Sequence, residues 1–316
     1  MRLFRAILLR LGYGALSLLF ISFVTFVASN AAPGDPARLL AGEKADEATV
    51  ARVRSNLGLD RPWTVRYVEY VTHAAKGDLG TSYYGTREPV ADTIKAVLPT
   101  TVKVAVWSIL VASLFGVTLG TLASVWEGRF ADKLVLGLST FGVTLPNFVL
   151  APMLVLYFVV GRDLLPLTWE EPMRAPEIYY LILPVTILAL RPMALIARLT
   201  RASMIETFRQ EFIRMAIAKG VPFWRMVVRH ALRNAILPVL TAIGTSFGVL
   251  LTGSFVVETF FLIPGIGQRT IQAITQNDVM LIQGCVLVTG ALFILINLLV
   301  DLALPFFDPR IRESQV

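Results

Sequence analysis

Long runs of apolar residues separated by shorter polar stretches dominate the hydrophobic pattern of this chain. A helix needs about 20 mostly apolar residues to cross the hydrocarbon core of a bilayer. Six runs reach that length, and the fourth is the weakest because Arg191 and Pro192 interrupt it. The predicted spans are residues 8–29, 101–126, 134–160, 178–197, 236–260 and 281–306. The pattern therefore predicts an all-α integral membrane protein with about six transmembrane helices.

The first apolar run has an alternative interpretation as a secretory signal peptide. Arg2, Arg5 and Arg10 provide a positively charged N-terminal region, and small residues follow at 28–31. The run is longer than the apolar core of a signal peptide, which is about 7–15 residues. We therefore expect residues 1–30 to form an uncleaved transmembrane helix.

Two polar stretches are too long to be simple connections between spans. Residues 31–98 contain a turn-rich opening and two amphipathic helical patterns, which predicts a helical insertion. Residues 198–235 contain a helical pattern capped by Ser203, a break at Gly220 and a restart at Pro222. Each stretch has a passive interpretation, as a stabilising lid or an interfacial hairpin. Each also has an active one, as a surface on which a partner protein docks.

The composition agrees with a membrane protein, and the charge distribution gives it an orientation. Hydrophobic residues make up 55% of the 316, the mean hydropathy is +0.68 and 16% are charged, against about a quarter in soluble domains. The net charge of +7 is spread over short stretches, which argues against nucleic acid as a partner. Basic residues in short loops mark the cytoplasmic side. They concentrate near the N-terminus, at Arg129 and Lys133, in 198–233 and in the tail 307–316. Both termini are therefore expected in the cytoplasm and residues 31–98 outside.

The sequence contains no signal for catalysis or for a metal site. No G-x-x-x-x-G-K-[ST] phosphate-binding loop occurs, so ATP hydrolysis would require a partner chain. His73 and His230 are far apart in sequence, and Cys285 stands alone in an apolar run as a small packing residue. Acidic residues are scarce in the spans, with Asp301 as an exception, which argues against a proton relay. We expect no enzyme activity and no cofactor in this chain.

Polar residues and glycines inside the predicted spans are candidates for a transport path or for helix packing. A charge at a helix centre costs about 2.5–3.5 kcal/mol on insertion scales, so Arg191 should face a pore, a partner or an interface. Hydroxyl side chains in the fifth span are candidates for an aqueous path: Thr241, Thr245, Ser246 and Thr252. We expect close helix packing at two G-x-x-x-G pairs. These are Gly116 with Gly120 and Gly244 with Gly248.

Short motifs along the whole chain resemble one family of transport proteins. The 198–235 stretch contains FIRMAIAKG at 212–220 and RHALRNA at 229–235, followed by Pro238. Earlier motifs are PGDP at 33–36, LGLDRP at 57–62 and GDLGTS at 77–82. Later ones are ETF at 258–260, PGIG at 264–267, Asn297 with Asp301, and DPRIR at 308–312. In this order and spacing they resemble the B-type permease subunits of bacterial oligopeptide and dipeptide ABC importers.

The resemblance implies a type I ABC importer permease that forms half of a pore in the bacterial inner membrane, with its core in residues 99–306. It implies as partners a homologous C-type permease, two cytoplasmic ATPases carrying ATP and Mg²⁺, an external substrate-binding protein and membrane lipid. Oligopeptides are favoured over dipeptides as substrates, and nickel or another small solute is the alternative. A polytopic receptor is the alternative from another class of function. Co-purification of an ATPase would distinguish it from an importer.

The resemblance also assigns a coupling helix that seats in the ATPase. Its residues here are Arg214, Met215, Ala216, Ala218, Lys219 and Gly220. Only Ala216, Gly220 and Leu232 match the general importer motif, whose glutamate is missing, so no role is based on that glutamate. A predicted gate or binding-protein contact at the external mouth consists of Glu258, Phe260, Pro264, Gly265 and Gly267. A plain structural turn is an equal alternative there, since Pro-Gly favours turns.

Overall fold

A computed structural model describes residues 2–31, 35–42, 44–83, 87–169, 175–252 and 255–307, and these are almost entirely helical. The helices are α1 (Arg2–Ala31), α2 (Pro36–Ala41), α3 (Glu47–Asn56), α4 (Trp63–Ala75), α5 (Val90–Val125), α6 (Phe130–Thr144), α7 (Asn147–Val155), α8 (Glu177–Phe208), α9 (Glu211–Ala218), α10 (Phe223–Arg225), α11 (Arg233–Leu251), α12 (Phe255–Phe260), α13 (Ile266–Thr275) and α14 (Val279–Phe307). A π-helical turn, Leu156–Val160, extends α7, and a π-helical segment, Met226–Leu232, joins α10 to α11.

Five helical stretches in the described residues are long and apolar enough to cross a membrane. They are Leu8–Asn30, Val90–Val125, Glu177–Phe208, Phe223–Leu251 and Val279–Ala303. A sixth span results if the bent pair Phe130–Thr144 and Asn147–Val160 is counted as one. The all-α fold with about six spans is therefore confirmed.

The third predicted span, residues 134–160, is not one straight helix. Its two halves meet at an angle of 103°. The break lies at Leu145 and Pro146, which both have extended backbone conformations. Proline has no N–H to donate and disfavours a helical conformation at the residue before it, so the chain cannot continue in one direction there.

The fourth predicted span is longer than expected, and the helix start predicted at Ser203 is wrong. Helix α8 runs without a break through Pro184 and Pro192, so Arg191 interrupts the apolar run but not the helix. It also continues to Phe208, which places Ser203 inside the helix and not at its cap. Prolines are tolerated in such helices because neighbouring groups satisfy the carbonyl that each proline leaves free. The fifth predicted span, in contrast, ends at Leu251, and α12 is separate from it.

The chain divides into two compact units, of which unit one comprises Met1–Thr101 and Ile263–Ile294. A hydrophobic cluster gathers residues from the start of α5, from α13 and from α14 around Leu79. Cys285 is fully buried in it, as expected for a packing residue. Helix α4 packs on α1, where the ring of Tyr67 makes an edge contact with Phe23 and its Oη lies 3.0 Å from Ser22 Oγ.

The GDLGTS motif is a connection within unit one that its residues Asp78 and Ser82 help to shape. The carboxylate of Asp78 accepts a hydrogen bond from the Gly80 N–H at 2.9 Å, and Gly80 has a φ of +79° that favours glycine. This turn directs Leu79 into the hydrophobic cluster of the unit. The motif is therefore explained by backbone conformation and packing.

Asp278, which precedes α14, holds the end of this motif in place. Its buried carboxylate accepts hydrogen bonds from Ser82 Oγ and from the Tyr83 N–H, the latter at 3.1 Å. The same carboxylate accepts the Leu281 N–H at 3.1 Å and so caps the first turn of α14. One carboxylate thus connects residues almost 200 positions apart in sequence.

Unit two comprises Val102–Leu262 and Leu295–Val316, and its described part is built around α8. Helix α5 approaches α8 closely at Gly116 and Gly120. A Cβ atom at Gly116 would lie 2.8 Å from Ile196 Cγ2, and one at Gly120 would lie 2.7 Å from Thr200 Cβ. These glycines are therefore required for close packing, which confirms that interpretation of the first G-x-x-x-G pair. At the second pair, a Cβ on Gly244 would collide with the side chain of Val300.

Candidate functional site

Residues 211–232 form a bent helical segment between the long helices α8 and α11, and we call it the coupling segment. Helix α9 ends in two hydrogen bonds, from the Gly220 N–H to the Ile217 carbonyl at 2.9 Å and from the Val221 N–H to the Ala216 carbonyl at 3.2 Å. This pair is the Schellman motif, in which the residue directly after the C-cap, here Gly220, adopts a left-handed conformation. Gly220 has a φ of +73°. Pro222 then begins the next helix in a new direction.

The inner face of the coupling segment shares one hydrophobic cluster with the ends of three long helices. Its buried members are Met204, Ile213, Ala216, Met226, Val227, Ala231 and Ala235. Val125 at the end of α5 and Phe208 at the end of α8 pack against them. Because a close-packed cluster transmits displacement, movement of α9 would be transferred to α5, α8 and α11.

The outer face of the coupling segment exposes large apolar side chains together with charged ones, among them Arg214 and Arg225. Met215 is 60% exposed and Trp224 is 53% exposed, and Ile217, Phe223 and Val228 are also exposed. Five of the six predicted coupling residues lie on this exposed surface, whereas Ala216 is buried in the inner cluster. An apolar surface of this kind on a folded segment marks a site for contact with another protein or with lipid.

A largely buried ion pair, which the sequence did not predict, fixes the first turn of α6 to α8. The Arg201 guanidinium donates to both carboxylate oxygens of Asp132, with Nη2 at 2.6 Å from Oδ2. The side chain of Asp132 is 3% exposed and that of Arg201 22%. The Gly128 N–H also donates to Asp132 at 2.8 Å. A signal for it existed in the sequence, because Asp132 begins an apolar helix and needs a buried partner.

Arg191 and the hydroxyl residues predicted for the substrate path lie on two helices of unit two. Arg191 is exposed on α8. Thr241 and Thr245 share the exposed face of α11, while Ser246 and Thr252 are half-buried. The hydroxyls of Thr245 and Thr252 donate to carbonyls of their own helix, at 3.0 Å and 2.7 Å. These hydroxyls therefore remain available to a solute as acceptors rather than as donors.

The predicted gate residues do not fall in a single unit. Glu258, which is 1% exposed, and the exposed Phe260 belong to α12 in unit two. Pro264, Gly265 and Gly267 belong to unit one, where the Gly265 N–H closes a tight turn onto the Ile263 carbonyl at 2.7 Å. This turn precedes α13, whose first N–H, that of Ile266, donates to Thr101 Oγ1 at 2.9 Å.

Groups of titratable side chains that could hold a metal ion are not found among the described residues. Several polar side chains in the described part of unit two are instead connected by ion pairs. Besides the Asp132–Arg201 pair, Arg209 lies 3.6 Å from Glu127 and Lys103 lies 2.6 Å from Glu177.

Comparison with known proteins gives matches over nearly the whole chain. Residues 116–313 match the family described as binding-protein-dependent transport system inner membrane component, and residues 3–105 match the N-terminal part of such components. The glutathione transport system permease protein of Salmonella typhimurium is 38% identical over 94% of this chain and 95% of its own length. The dipeptide transport system permease protein of Bacillus subtilis is 36% identical over 94% of each chain. A probable peptide ABC transporter permease protein of Sinorhizobium fredii is 37% identical over 92% of this chain and 94% of its own.

Proposed function

This chain belongs to the family of binding-protein-dependent transport system inner membrane components, and we propose from that premise that it forms half of a translocation path for short peptides. It is a permease of an ABC importer and a multi-pass membrane protein. The observation that carries the peptide-importer mechanism is the coupling segment. Its inner face packs with the ends of α5, α8 and α11, and its outer face exposes large apolar side chains.

The proposed assembly contains partners on both sides of the membrane. A homologous C-type permease completes the pore, two ATPases dock on the cytoplasmic side and a substrate-binding protein docks outside. ATP and Mg²⁺ bind to the ATPases, and this chain has no ATPase site of its own. Both termini and the coupling segment are cytoplasmic in this arrangement, and residues 31–98 are external, in agreement with the distribution of basic residues.

The proposed mechanism is alternating access driven by mechanical contact. When the ATPases close on ATP, they displace the exposed face of α9. The shared hydrophobic cluster transfers this displacement to the long helices, because its members cannot be compressed independently. The Asp132–Arg201 pair carries α6 along with α8, since a bidentate pair fixes both distance and orientation. The path then opens to the other side of the membrane.

Short peptides are the proposed substrates because the relatives carry names of glutathione, dipeptide and peptide transport systems. The preference for oligopeptides over dipeptides stays a prediction. Within the path, we propose that Arg191 pairs with the peptide carboxylate and that Thr241, Thr245, Ser246 and Thr252 border the solute. Glu258, Phe260, Pro264, Gly265 and Gly267 are proposed to gate the path, and the exposed Phe260 and half-buried Pro264 are the ones proposed to contact the binding protein.

Reconstituted transport tests this function. The chain, a companion permease, the two ATPases and the binding protein are placed in proteoliposomes with labelled trialanine outside and ATP inside. Uptake should require every component and ATP hydrolysis. Uptake by this chain alone, or failure of the chain to associate with an ATPase, would overturn the proposal.

The substitution Arg191→Ala tests the proposed substrate contact separately. It should lower peptide uptake while the complex still assembles and the ATPase remains active. Arg209→Ala is a control, because this exposed arginine lies at the end of the same helix, 18 positions from Arg191, and pairs only loosely with Glu127 at 3.6 Å. Unchanged uptake in the Arg191 variant would exclude the contact.

A further inference from the structure

Helix α4 packs on α1, and its contacts fall far inside the span that α1 forms. The Tyr67 hydroxyl donates to the Leu19 carbonyl at 3.1 Å and lies 3.0 Å from Ser22 Oγ. Leu19 is the middle residue of the candidate span Leu8–Asn30. At about 1.5 Å per residue it lies about 16 Å from the end of the span, and half of a hydrocarbon core measures about 15 Å. The Tyr67 hydroxyl therefore reaches close to the middle of the bilayer.

The aromatic contacts between the two helices place the backbone of α4 in the same half of the bilayer. The ring centre of Tyr67 lies 5.5 Å from that of Phe23 and 5.3 Å from that of Phe26, and the ring of Tyr70 stacks on Phe26 at 6.4 Å. Phe26 precedes the end of the span by four residues, or about 6 Å of helix. The distance from the middle of the core to its edge is about 15 Å, which is longer than a tyrosine side chain. The α4 backbone at Tyr67 therefore lies below the membrane surface.

The side chains of α4 divide into three sectors around the helix. Tyr67 and Tyr70 form the sector that packs on α1. Arg66, Glu69 and His73 recur at helical spacing and line an open cleft of unit one. The polar side chains of the helix are thus gathered on one side, and the third sector is left with different neighbours.

The third sector, which we call the α4 stripe, consists of Val65, Val68, Thr72 and Ala75. Their spacing of three, four and three residues places them on one face of the helix. All four are exposed, Val68 by 60%, and none of the four is charged. The Thr72 hydroxyl donates to the carbonyls of Val68 and Glu69 in its own helix, both at 2.9 Å. The α4 stripe is therefore compatible with lipid, where polar groups must find partners within the protein.

We propose that α4 is an interfacial helix and that the α4 stripe binds the acyl chains of membrane lipid. The exposed apolar surface of α1 adjoins this position: Phe20 is 67% exposed, and Phe23, 40% exposed, meets the ring of Tyr67 edge-on. An amphipathic helix at this depth buries its apolar side in the acyl region and keeps its polar side toward water. Trp63, 55% exposed at the start of α4, suits the headgroup boundary, where tryptophan is enriched.

The depth of α4 follows from its contacts with α1 and does not depend on what the chain transports. Only the name of the leaflet rests on the proposed function. The contacts lie in the half of the bilayer opposite the N-terminus, and this is the outer leaflet because residues 31–98 are proposed to be external. Part of that insertion is then anchored in the membrane surface, and not held as a lid in the water above it.

Spin labels on single cysteines test the lipid contact in the full chain, in nanodiscs of phosphatidylethanolamine and phosphatidylglycerol. Oxygen dissolves in lipid, whereas a nickel chelate stays in water. The ratio of oxygen to nickel collisions should be several-fold higher for labels at Val68→Cys and Thr72→Cys than at Lys76→Cys, which is exposed just after α4. Phe20→Cys on α1 is the lipid reference. Cys285 is fully buried, so the unchanged chain should take up no label and is the labelling control.

The same labels are then measured after assembly with the companion permease and the ATPases. A high oxygen ratio before and after assembly supports lipid as the occupant of the α4 stripe. A ratio at Val68→Cys as low as that at Lys76→Cys would place the stripe in water and overturn the proposal. Loss of both kinds of collision on assembly would also overturn it, because a protein would then cover the stripe. Failure to assemble would count against the transport function, and the chain alone would still decide the lipid contact.

Discussion

The two long segments between spans, residues 31–98 and 198–235, are stabilised in different ways. The first is rich in exposed ion pairs and is fixed by polar hydrogen bonds to Asp278. Both segments contribute to hydrophobic clusters, but the second exposes more large apolar side chains, and among its described residues the exposed charges form only loose ion pairs, Arg214 with Glu211 at 3.8 Å and Arg209 with Glu127 at 3.6 Å. A polar, charged segment is suited to small solutes in water, whereas an apolar surface is suited to a protein partner. The difference agrees with the proposed role of the second segment as the contact for a protein partner.

The two buried carboxylates, Asp278 and Asp132, differ in the kind of donor that they accept. Asp278 accepts hydrogen bonds only from neutral donors among its described contacts, namely Ser82, Tyr83 and Leu281. Asp132 pairs with the guanidinium of Arg201. Removing one partner from a buried ion pair leaves an uncompensated charge, which is more costly than leaving neutral groups without partners. The carboxylate near the coupling segment should therefore matter more for stability.

Asp132→Ala should have the largest effect on stability. We expect a loss of about 3 kcal/mol in the free energy of unfolding, because Arg201, whose side chain is only 22% exposed, would lose its partner. Thermal unfolding of the purified chain in detergent measures this. Asp278→Ala should cost less, about 2 kcal/mol, since its lost donors are neutral.

The double variant Asp132→Leu with Arg201→Met is the control for the ion pair. Replacing both partners by apolar residues should recover most of the stability. Glu127→Gln should change little, because its pair with Arg209 is exposed and measures 3.6 Å. A larger loss of unfolding free energy for Asp278→Ala than for Asp132→Ala would contradict the expectation that the ion-paired carboxylate contributes more to stability.

Gly120→Ala should have the next largest effect, because α5 and α8 approach closely at this point. The added Cβ would lie 2.7 Å from Thr200 Cβ, and overpacking of this kind costs about 1–3 kcal/mol. The same measurement of unfolding applies. Gly137→Ala is the control in the same unit, since nothing lies within 4 Å of its Cβ position. It should be neutral or stabilising by about 0.5–1 kcal/mol, as alanine favours helix.

Much of this fold could be predicted from the sequence, because long apolar runs leave few options in a membrane. The number of spans followed from the length of the apolar runs. The bend at Gly220 followed from a glycine two residues before a proline. Pro146 itself indicates a bend, but the prediction gave more weight to the length of the apolar run around it. The continuation of α8 to Phe208 could not be predicted, because packing against the hydrophobic cluster decides it.

The candidate site was less predictable than the fold, since it depends on contacts distant in sequence. The resemblance located the residues around Gly220, but it did not indicate that Ala216 is buried while Met215 is exposed. The partner of Asp132 is 69 residues away, and that of Asp278 lies in another segment altogether. No local pattern connects such residues. They come into contact only when the helices that contain them pack together.

Gly220 in the coupling segment and Gly77 in residues 31–98 both need a left-handed backbone conformation, so equal substitutions at the two positions compare the two segments. Gly220 and Gly77 have φ values of +73° and +84°, and neither has an atom within 4 Å of its Cβ position. Alanine at either should cost about 1 kcal/mol of stability, because only the left-handed conformation opposes it. Only Gly220→Ala should lower uptake per ATP hydrolysed, since Gly220 directs the coupling segment.

Gly220→Pro tests the same role more severely. Proline cannot adopt a positive φ and would remove the hydrogen bond from the Gly220 N–H to Ile217. ATP hydrolysis should then be uncoupled from uptake in the reconstituted complex. Normal coupling in this variant, or equal loss of coupling in Gly77→Ala, would remove the distinction between the two regions.

Arg38→Gln should have the smallest effect, although Arg38 also donates directly to a carboxylate, that of Glu47. The side chains of Arg38 and Glu47 are 53% and 82% exposed, so water solvates each charge when the other is removed. Exposed pairs contribute about 0–1 kcal/mol, and salt weakens them further. Thermal unfolding at low and high salt should differ from that of the unchanged chain by less than about 0.5 kcal/mol. A loss as large as that of Asp132→Ala would mean that ion pairing itself, rather than burial, distinguishes the two segments.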